Sequence, residues 1–352
     1  STGVLADRKI VGDNVEFTFR NTIPNYYSFI TARYQVHSRM IDEIEYKTFF
    51  STGGKEKADF YIRRCAEAVN TLQEAYGDYP YDNFKLVEMA DMGGAMAGGF
   101  SEHGLIFLPS QSVPDHYFNY PVIAHEIGHL WWGNWVIGEE HVISEGMAQL
   151  SLMLQLEAMY GSQTMYRYAE YGSRDHFMSS YLYKTHFLNA PDSEPALADD
   201  FMTMDQHHVS IGKGTKVLLM LRDYLGADAF HQGLHAVIKN ETRQLTKLRK
   251  LVSYLEEASG KDLTGFYQQW FSRKGVPLLD LEYGVTEQAG RYLLEGVVTQ
   301  KSQPAYKMPL ELGIDNGSAM QTETLELNGP ETPFSFTLGY QPSAIILDPN
   351  LK

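Results

Sequence analysis

The residues best suited to chemistry form one pentapeptide, His125-Glu126-Ile127-Gly128-His129. Residues four apart on a helix lie on one face, so both imidazoles can reach a single metal ion. The carboxylate of Glu126, beside them, is placed to activate a water at that metal. With 12 histidines and 44 acidic residues among 352, random placement would give about 0.05 matches to this pattern. The pentapeptide therefore predicts a helical zinc site that carries its own base.

A third ligand is expected, because catalytic zinc usually has three protein ligands and one open position. Fifteen residues separate Glu145 from His129, and Glu145 opens the next amphipathic helix. A gap of this length lets the chain turn and bring a second helix alongside the first. Glu139 and Glu140 are competing candidates, but both fall in the expected connecting loop. The sequence favours Glu145.

Composition narrows the possible partners. The chain has 29 Lys plus Arg against 44 Asp plus Glu, a formal net charge of −15. Such a surface repels a polyanion on average, so nucleic acid is not an expected partner. Cys65 is the only cysteine, which excludes an intramolecular disulfide and a thiolate cluster. Any metal is therefore expected to bind to His, Asp or Glu.

The apolar runs are short. None approaches the ~20 residues that a membrane-spanning helix needs, and Ser1-Thr2-Gly3 does not begin a signal peptide. We expect a soluble piece without a transmembrane segment, which can belong to a larger protein. No pattern indicates its compartment.

Hydrophobic periodicity predicts that the chain has three structural parts. A two-residue alternation predicts strands near the start, and an apolar stripe at helical spacing predicts a core helix that Gly77 ends. The pattern is mainly helical from about residue 121 to 272, and alternation returns after Pro277. The predicted parts are N-terminal strands at 1–48, a central domain at 49–275 and a β-sandwich at 276–352.

The sequence around the pentapeptide resembles the zinc aminopeptidases that include membrane alanyl aminopeptidase and leukotriene hydrolase, a gluzincin family. The match continues through Leu130-Trp131-Trp132-Gly133-Asn134 and through Glu145-Gly146-Met147-Ala148. It extends to Gly212-Lys213-Gly214 and to Phe266-Tyr267-Gln268-Gln269-Trp270. The resemblance covers about residues 25–280, and the pair of metal-binding helices is its specific part.

The resemblance implies a thermolysin-like α+β fold. Its centre would be a mainly helical zinc peptidase domain with a small mixed sheet, flanked by N-terminal strands and a C-terminal β-sandwich. It also implies Zn²⁺ held by His125, His129 and Glu145, with Glu126 as the base. The expected activity is aminopeptidase-type hydrolysis that releases N-terminal residues from a peptide. The loop before Glu145 is a few residues shorter here than is usual in the family.

A second family element is a Gly-Ala-Met-Glu-Asn stretch, whose glutamate binds the free amino group of the substrate. The counterpart here is Gly99-Phe100-Ser101-Glu102-His103, followed by Gly104-Leu105-Ile106 as in the family. The resemblance therefore implies that Gly99, Phe100 and Ser101 contact substrate and that Glu102 anchors its amino terminus. The alternative interpretation of Glu102 is a solvated loop glutamate. The glycine-rich backbone from 93 to 99 is expected to pair with an extended peptide.

One departure from the family concerns the oxyanion. Relatives place a tyrosine two residues before the Lys-Gly pair to stabilise it, and this chain has Ile211 there. Loss of one such donor typically lowers turnover by about 10²–10³. Weak activity or a substitute donor is therefore expected, and the candidates are His207, His208 and Tyr183.

Two other hypotheses stay open. Relative to the family, the N-terminal β-domain is reduced to short strands and the large C-terminal helical domain is missing. With Ile211, this favours a catalytically weak or inactive zinc-binding module of a larger membrane-associated protein. The intact Glu126 argues against it, since a structural site needs no base. An epoxide or ester hydrolase on the same zinc site is the third hypothesis.

Overall fold

The computed structural model describes residues 1–21, 27–90, 98–172, 179–188, 193–199 and 203–352. Their contacts divide the chain into two compact units, Ser1–Tyr267 and Gln268–Lys352. The division predicted at residue 48 falls inside a strand, and the one predicted at 275 falls within the second unit. The three-part scheme itself stays a prediction.

The first unit contains a hairpin and a five-stranded sheet. The hairpin pairs β1 (Val4–Val11) with β2 (Asn14–Arg20). The sheet has the order β3-β4-β5-β7-β6, in which β4, β5 and β7 are parallel and the two edge strands run antiparallel to their neighbours. Its strands are β3 (Gln35–Ile41), β4 (Ile44–Phe50), β5 (Asn83–Met89), β6 (Phe100–Glu102) and β7 (Leu105–Pro109).

Strand alternation gives this sheet two faces. On one face Phe50 contacts Tyr61 of the long helix α1 (Gly54–Tyr76), with ring centroids 5.2 Å apart. The other face carries a separate apolar cluster that is covered by Ile30 and Tyr34. The members of that cluster from the sheet are Phe49, Val87, Met89, Leu105 and Phe107.

Helices follow the sheet in chain order. Among the described residues, three five-residue π-helical turns interrupt them, at Val142–Gly146, Ser210–Gly214 and Tyr267–Phe271. A short parallel pair joins β8 (Ile137–Gly138) to β9 (Leu245–Thr246). The helices are α2 (Tyr120–Gly128), α3 (Met147–Tyr160), α4 (Ser162–Tyr171), α5 (Ser180–Leu188), α6 (Met204–Val209), α7 (Thr215–Leu225), α8 (Ala227–Asn240), α9 (Leu248–Ser259) and α10 (Thr264–Phe266).

Helices α2 and α3 position the pentapeptide. Pro121 lies in the first turn of α2, where its missing N–H costs nothing, and Ile123, Ala124 and Ile127 are fully buried. Gly128 permits close approach to α3, because an added Cβ would lie 2.5 Å from the Ser151 hydroxyl oxygen. The first ten residues of α3 are buried all round, as expected of a helix inside a core.

The second unit is a β-sandwich. One sheet has the order β10-β11-β14 and the other β13-β12-β15, and a shared core lies between them. Leu310, Leu312 and Ile314 alternate inward into that core. The strands are β10 (Leu279–Gln288), β11 (Arg291–Gln300), β12 (Met308–Asp315), β13 (Met320–Leu327), β14 (Glu331–Leu338) and β15 (Ala344–Leu347).

Within the described ranges, no helix combines the length and the apolar character needed to cross a bilayer.

Candidate active site

The two histidines of the pentapeptide lie at the end of α2. His125 is in its last turn and His129 follows directly, so the four-residue spacing places both rings on one face. Their Nε2 atoms are 3.1 Å apart, with ring planes nearly perpendicular. Both atoms are therefore directed at a common point.

Glu145 completes a triad of donor atoms. It lies in the π-helical turn Val142–Gly146 that runs into α3. Its Oε2 is 3.3 Å from Nε2 of His125, and its Oε1 is 3.5 Å from Nε2 of His129. The structure thus brings the three predicted ligands together. The competing carboxylates are engaged elsewhere, since Glu139 pairs with Lys247 and Glu140 accepts the Leu248 N–H at 2.7 Å.

Hydrogen bonds to the Nδ1 atoms determine which nitrogen of each imidazole carries the proton. Nδ1 of His129 lies 3.0 Å from the Trp132 carbonyl oxygen, which can only accept, so this nitrogen is the donor. Nδ1 of His125 lies 3.1 Å from Oε1 of the fully buried Gln149. In neutral rings this leaves both Nε2 atoms as lone-pair acceptors.

Three acceptors that face one another fit a cation. Two Nε2 lone pairs and a carboxylate repel each other unless a positive charge lies between them. Ligands bonded at about 2.0–2.2 Å to a tetrahedral metal are about 3.3–3.6 Å apart, close to the observed separations. The donor set of two imidazoles and one carboxylate is one that zinc accepts.

Glu126 is buried beside the triad. In the part of the chain that the structure describes, its Oε2 is a buried oxygen without a hydrogen-bond partner. Burial raises the pKa of Glu126 to about 7; His129 and a hydrogen bond from the Ser101 hydroxyl oppose the rise, and Glu145 adds to it. A desolvated carboxyl of this kind is typical of a proton-transferring group.

Opposing effects act on the acidity of Glu145. Burial acts to raise its pKa, but the positive charges that His129, His125 and His207 carry when protonated, with a hydrogen bond from His125, outweigh burial and lower the pKa below its usual range. The carboxylate is therefore held ionised, as a metal ligand must be.

The edge strand β6 lies near Glu126 and carries the other predicted site residues. Gly99, just before it, leaves no room for a side chain, because a Cβ there would lie 3.3 Å from Cγ of Glu126 and 2.5 Å from Leu108. Ser101 is hydrogen-bonded to the Glu126 carboxyl, and its Oγ accepts from Nδ2 of Asn134 at 3.4 Å. Gly99 and Ser101 thus lie on the side of the triad.

Strand alternation puts Phe100 and Glu102 on the other face. The ring of Phe100 packs at a tilt on that of Phe107, with centroids 4.7 Å apart, and Phe107 belongs to the apolar cluster on the face opposite α1. Glu102 pairs with Leu105 of β7 and is hydrogen-bonded to Ser28. The structure therefore does not bring Glu102 to the triad, and Ser101 occupies the position on β6 that faces Glu126. Of the predicted peptide-pairing loop, residues 91–97 lie outside the described ranges.

Ile211 is buried in the π-helical turn Ser210–Gly214, and its carbonyl accepts from Thr215. Two of the candidate substitute donors are engaged elsewhere. The Tyr183 hydroxyl donates to Glu194 at 2.8 Å, and the ring of His208 packs against His186.

Among the three substitute donors, His207 has the direct approach to the triad. Its Nδ1 lies 3.7 Å from Oε2 of Glu145. Desolvation is the main cause that lowers the pKa of His207, to about 4.

Sequence reasoning missed two residues of this site, Gln149 and His141. Gln149 fixes the His125 ring, and Nε2 of His141 lies 3.4 Å from Nδ1 of His207. Both are four positions from Glu145, so the spacing rule that found the histidine pair could have found them too. His207 is 62 positions past Glu145, and periodicity gave no sign of its approach.

Comparison with known proteins decides the family. Residues 64–270, more than half of the chain, match the model described as the peptidase family M1 domain. The chain belongs to peptidase family M1. This confirms the family predicted from the helix pair that carries His125, His129 and Glu145.

Relatives in family M1 carry aminopeptidase names. Aminopeptidase 2 of Candida albicans is 24% identical over 95% of this chain, which corresponds to 38% of that protein. Aminopeptidase N of Streptomyces lividans is 26% identical over 63% of this chain and 27% of its own length. This M1 chain thus spans about a third of the length of such relatives.

Two solved structures share the fold of this chain. Legionella pneumophila aminopeptidase A, crystallised with aspartic acid, covers 97% of this chain with a TM-score of 0.70 and 16% identity; the match is 41% of that chain. The second structure is a mutant M1 zinc metallopeptidase from Deinococcus radiodurans bound to a Tyr-Ser-Ala substrate. It matches 79% of this chain and 61% of its own, with a TM-score of 0.57 and 15% sequence identity. The predicted α+β class is confirmed.

Proposed function

We propose that this M1 chain is a zinc-dependent metallopeptidase of the aminopeptidase type. The observation that carries the proposal is the convergence of His125, His129 and Glu145 beside the buried, partly unsatisfied carboxyl of Glu126. A merely structural metal site would not need that second carboxyl. The aminopeptidase class is supported by the names of the relatives.

The triad would hold Zn²⁺. When bound, zinc supplies a Lewis acid that polarises a substrate carbonyl and acidifies water. Gln149 and the Trp132 carbonyl keep the two imidazoles in the tautomer that offers Nε2.

Glu126 would act as the general base and then as the acid. It accepts the proton of the attacking water and returns it to the amine that leaves when the peptide bond breaks. Its burial excludes bulk water from the transfer, and the Ser101 hydroxyl holds one side of the carboxyl.

An extended peptide would bind along β6. This strand pairs with β7 on one side and has no partner strand on the other within the described ranges. Backbone hydrogen bonds to such an edge align a peptide without demanding particular side chains. The position of Ser101 on the triad side makes it the β6 side chain expected to meet substrate, in place of Glu102.

The second candidate function is a weak or inactive zinc-binding module. Ile211 favours it, because an aliphatic side chain offers no hydrogen bond to an oxyanion. Attachment to a larger membrane-associated protein stays a prediction.

Zinc content and hydrolysis of free and N-acetylated peptides, measured on the chain and on Glu126→Gln, test the proposal. We expect zinc in both proteins and turnover of free peptides in the parent alone. Zinc without turnover in the parent would favour the inactive module. Absence of zinc from the parent would refute both candidates.

A further inference from the structure

A second set of donor atoms lies against the triad. Nε2 of His141 is 3.4 Å from Nδ1 of His207, and that nitrogen is 3.7 Å from Oε2 of Glu145. One donor atom from each of these three residues falls within 4.8 Å of the others. Glu145 is the member common to both sets.

Two chain segments far apart in sequence build this arrangement. His141 immediately precedes the turn Val142–Gly146, so it and Glu145 are four positions apart on a helical path. His207 comes from α6, which runs directly into the turn Ser210–Gly214. The two turns approach closely at Gly146, where a Cβ would lie 3.1 Å from the Ser210 carbonyl oxygen.

We propose that His141, Glu145 and His207 form a second site for a divalent transition-metal cation, adjacent to the triad. Two of the three separations, 3.4 Å from His141 to His207 and 3.7 Å from His207 to Glu145, are close to the roughly 3.3–3.6 Å between ligands that lie about 2.0–2.2 Å from one tetrahedral ion. The donor atoms of His141 and Glu145 lie within 4.8 Å, so a small movement of one side chain would complete the site. Two imidazoles and a carboxylate select zinc, cobalt, nickel or copper over magnesium or calcium. A carboxylate with two oxygens can serve two ions at once.

A hydrogen bond between the two histidines is the simpler alternative. It would account for the 3.4 Å contact between His141 and His207. It gives no reason for the additional approach of His207 to Oε2 of Glu145, an oxygen already 3.3 Å from His125. A cation among the three groups accounts for both contacts.

The second ion is expected to bind more weakly than the first. His125 and His129 are held by Gln149 and the Trp132 carbonyl through their outer nitrogens. No comparable hydrogen bond to the outer nitrogens of His141 and His207 occurs among the described residues. Such outer partners are typically worth about 10–100-fold in affinity, so a weaker second step of about that size is expected.

Titration of the metal-stripped 352-residue chain with Zn²⁺ and with Co²⁺ tests the proposal by calorimetry and bound-metal analysis. The parent should bind two equivalents in two steps. His141→Ala should bind one equivalent with the tight step unchanged. The matched control is His208→Ala, which removes a neighbouring imidazole that packs on His186 and should still bind two.

A single equivalent in the parent at saturating metal would overturn the proposal, as would two equivalents in His141→Ala. If His141→Ala fails to fold by circular dichroism, His207→Phe provides the same comparison from the other segment. The readout is metal content, so an inactive parent would count against peptidase function without affecting this result. Loss of the tight step in His125→Ala, with the weak step retained, would show that the sites are separate.

Discussion

The donor triad and the edge strand β6 are fixed in different ways. The triad is surrounded by packed helices, and its base Glu126 is only 5% exposed. β6 is a three-residue strand that pairs with one neighbour, and its Phe100 is 36% exposed. Each imidazole of the triad is held by a further hydrogen bond, whereas the pairing of β6 with its one neighbour sets which β6 side chains face the site.

From this contrast we expect the triad region to control metal binding and turnover, and β6 to control substrate binding. Changes in the triad region should abolish metal binding or turnover. Changes on β6 should alter rates by much smaller factors, because a short edge strand can shift with its substrate.

The largest effect is expected at Glu126. Glu126→Gln keeps the size of the side chain but removes the base, so kcat should fall by about 10²–10⁴. Zinc content should stay at the parental level, because Glu126 is not one of the three converging donors. Steady-state kinetics with metal analysis on the same sample checks this. Substantial residual turnover would assign the base to another group.

A phenol at position 211, as the resemblance to relatives implies, should raise activity. Ile211→Tyr is expected to increase kcat by about 10²-fold with little change in KM, since the new hydrogen bond forms mainly in the transition state. Ile211→Phe is the matched control, because it adds an aromatic ring without a hydroxyl, and it should not increase kcat.

Ile211 is buried, so Tyr and Phe should both lower stability by about 1–3 kcal/mol through overpacking. Thermal unfolding measures that cost independently of turnover. No gain in a folded, zinc-loaded Tyr variant would mean that another donor, such as His207, already serves the oxyanion.

The sequence predicted the triad because its spacing is local. His125 and His129 share a helix, and Glu145 begins the next one, so helical geometry was enough. The π-helical turn around Glu145 and the approach of His207 could not be predicted, since both depend on packing between distant segments. The fold class was likewise within reach, because alternation and helical stripes mark the elements directly.

The sequence did not predict that Ser101, and not Glu102, faces Glu126. One residue of register reverses the face of a strand, and the alternation phase of β6 is set by its pairing with β7. A three-residue strand carries too little hydrophobic pattern to reveal that phase.

Ser101→Ala should have an intermediate effect. A hydrogen bond to a charged carboxyl is typically worth about 1.5–3 kcal/mol, so kcat should fall by about tenfold or more. Asn134→Ala, which removes the neighbouring contact to Ser101, should cost less. Equal kcat values for Ser101→Ala and the parent would contradict the orienting role of this hydroxyl.

The smallest effect is expected at Glu102. Because it lies on the opposite face of β6 beside Ser28, Glu102→Ala should leave the ratio of free to N-acetylated peptide hydrolysis within about twofold of the parent. Competition between the two substrates in one assay gives that ratio directly. A large drop in the ratio would restore Glu102 as the anchor of the substrate amino terminus.

The central claim is that the donor triad is a metal site. An anomalous difference map at the zinc edge, from crystals grown with one equivalent of Zn²⁺, tests it most directly. We predict a peak about 2.0–2.2 Å from Nε2 of His125, Nε2 of His129 and a carboxylate oxygen of Glu145. No peak among these three side chains, or a peak held by other residues, would contradict the account.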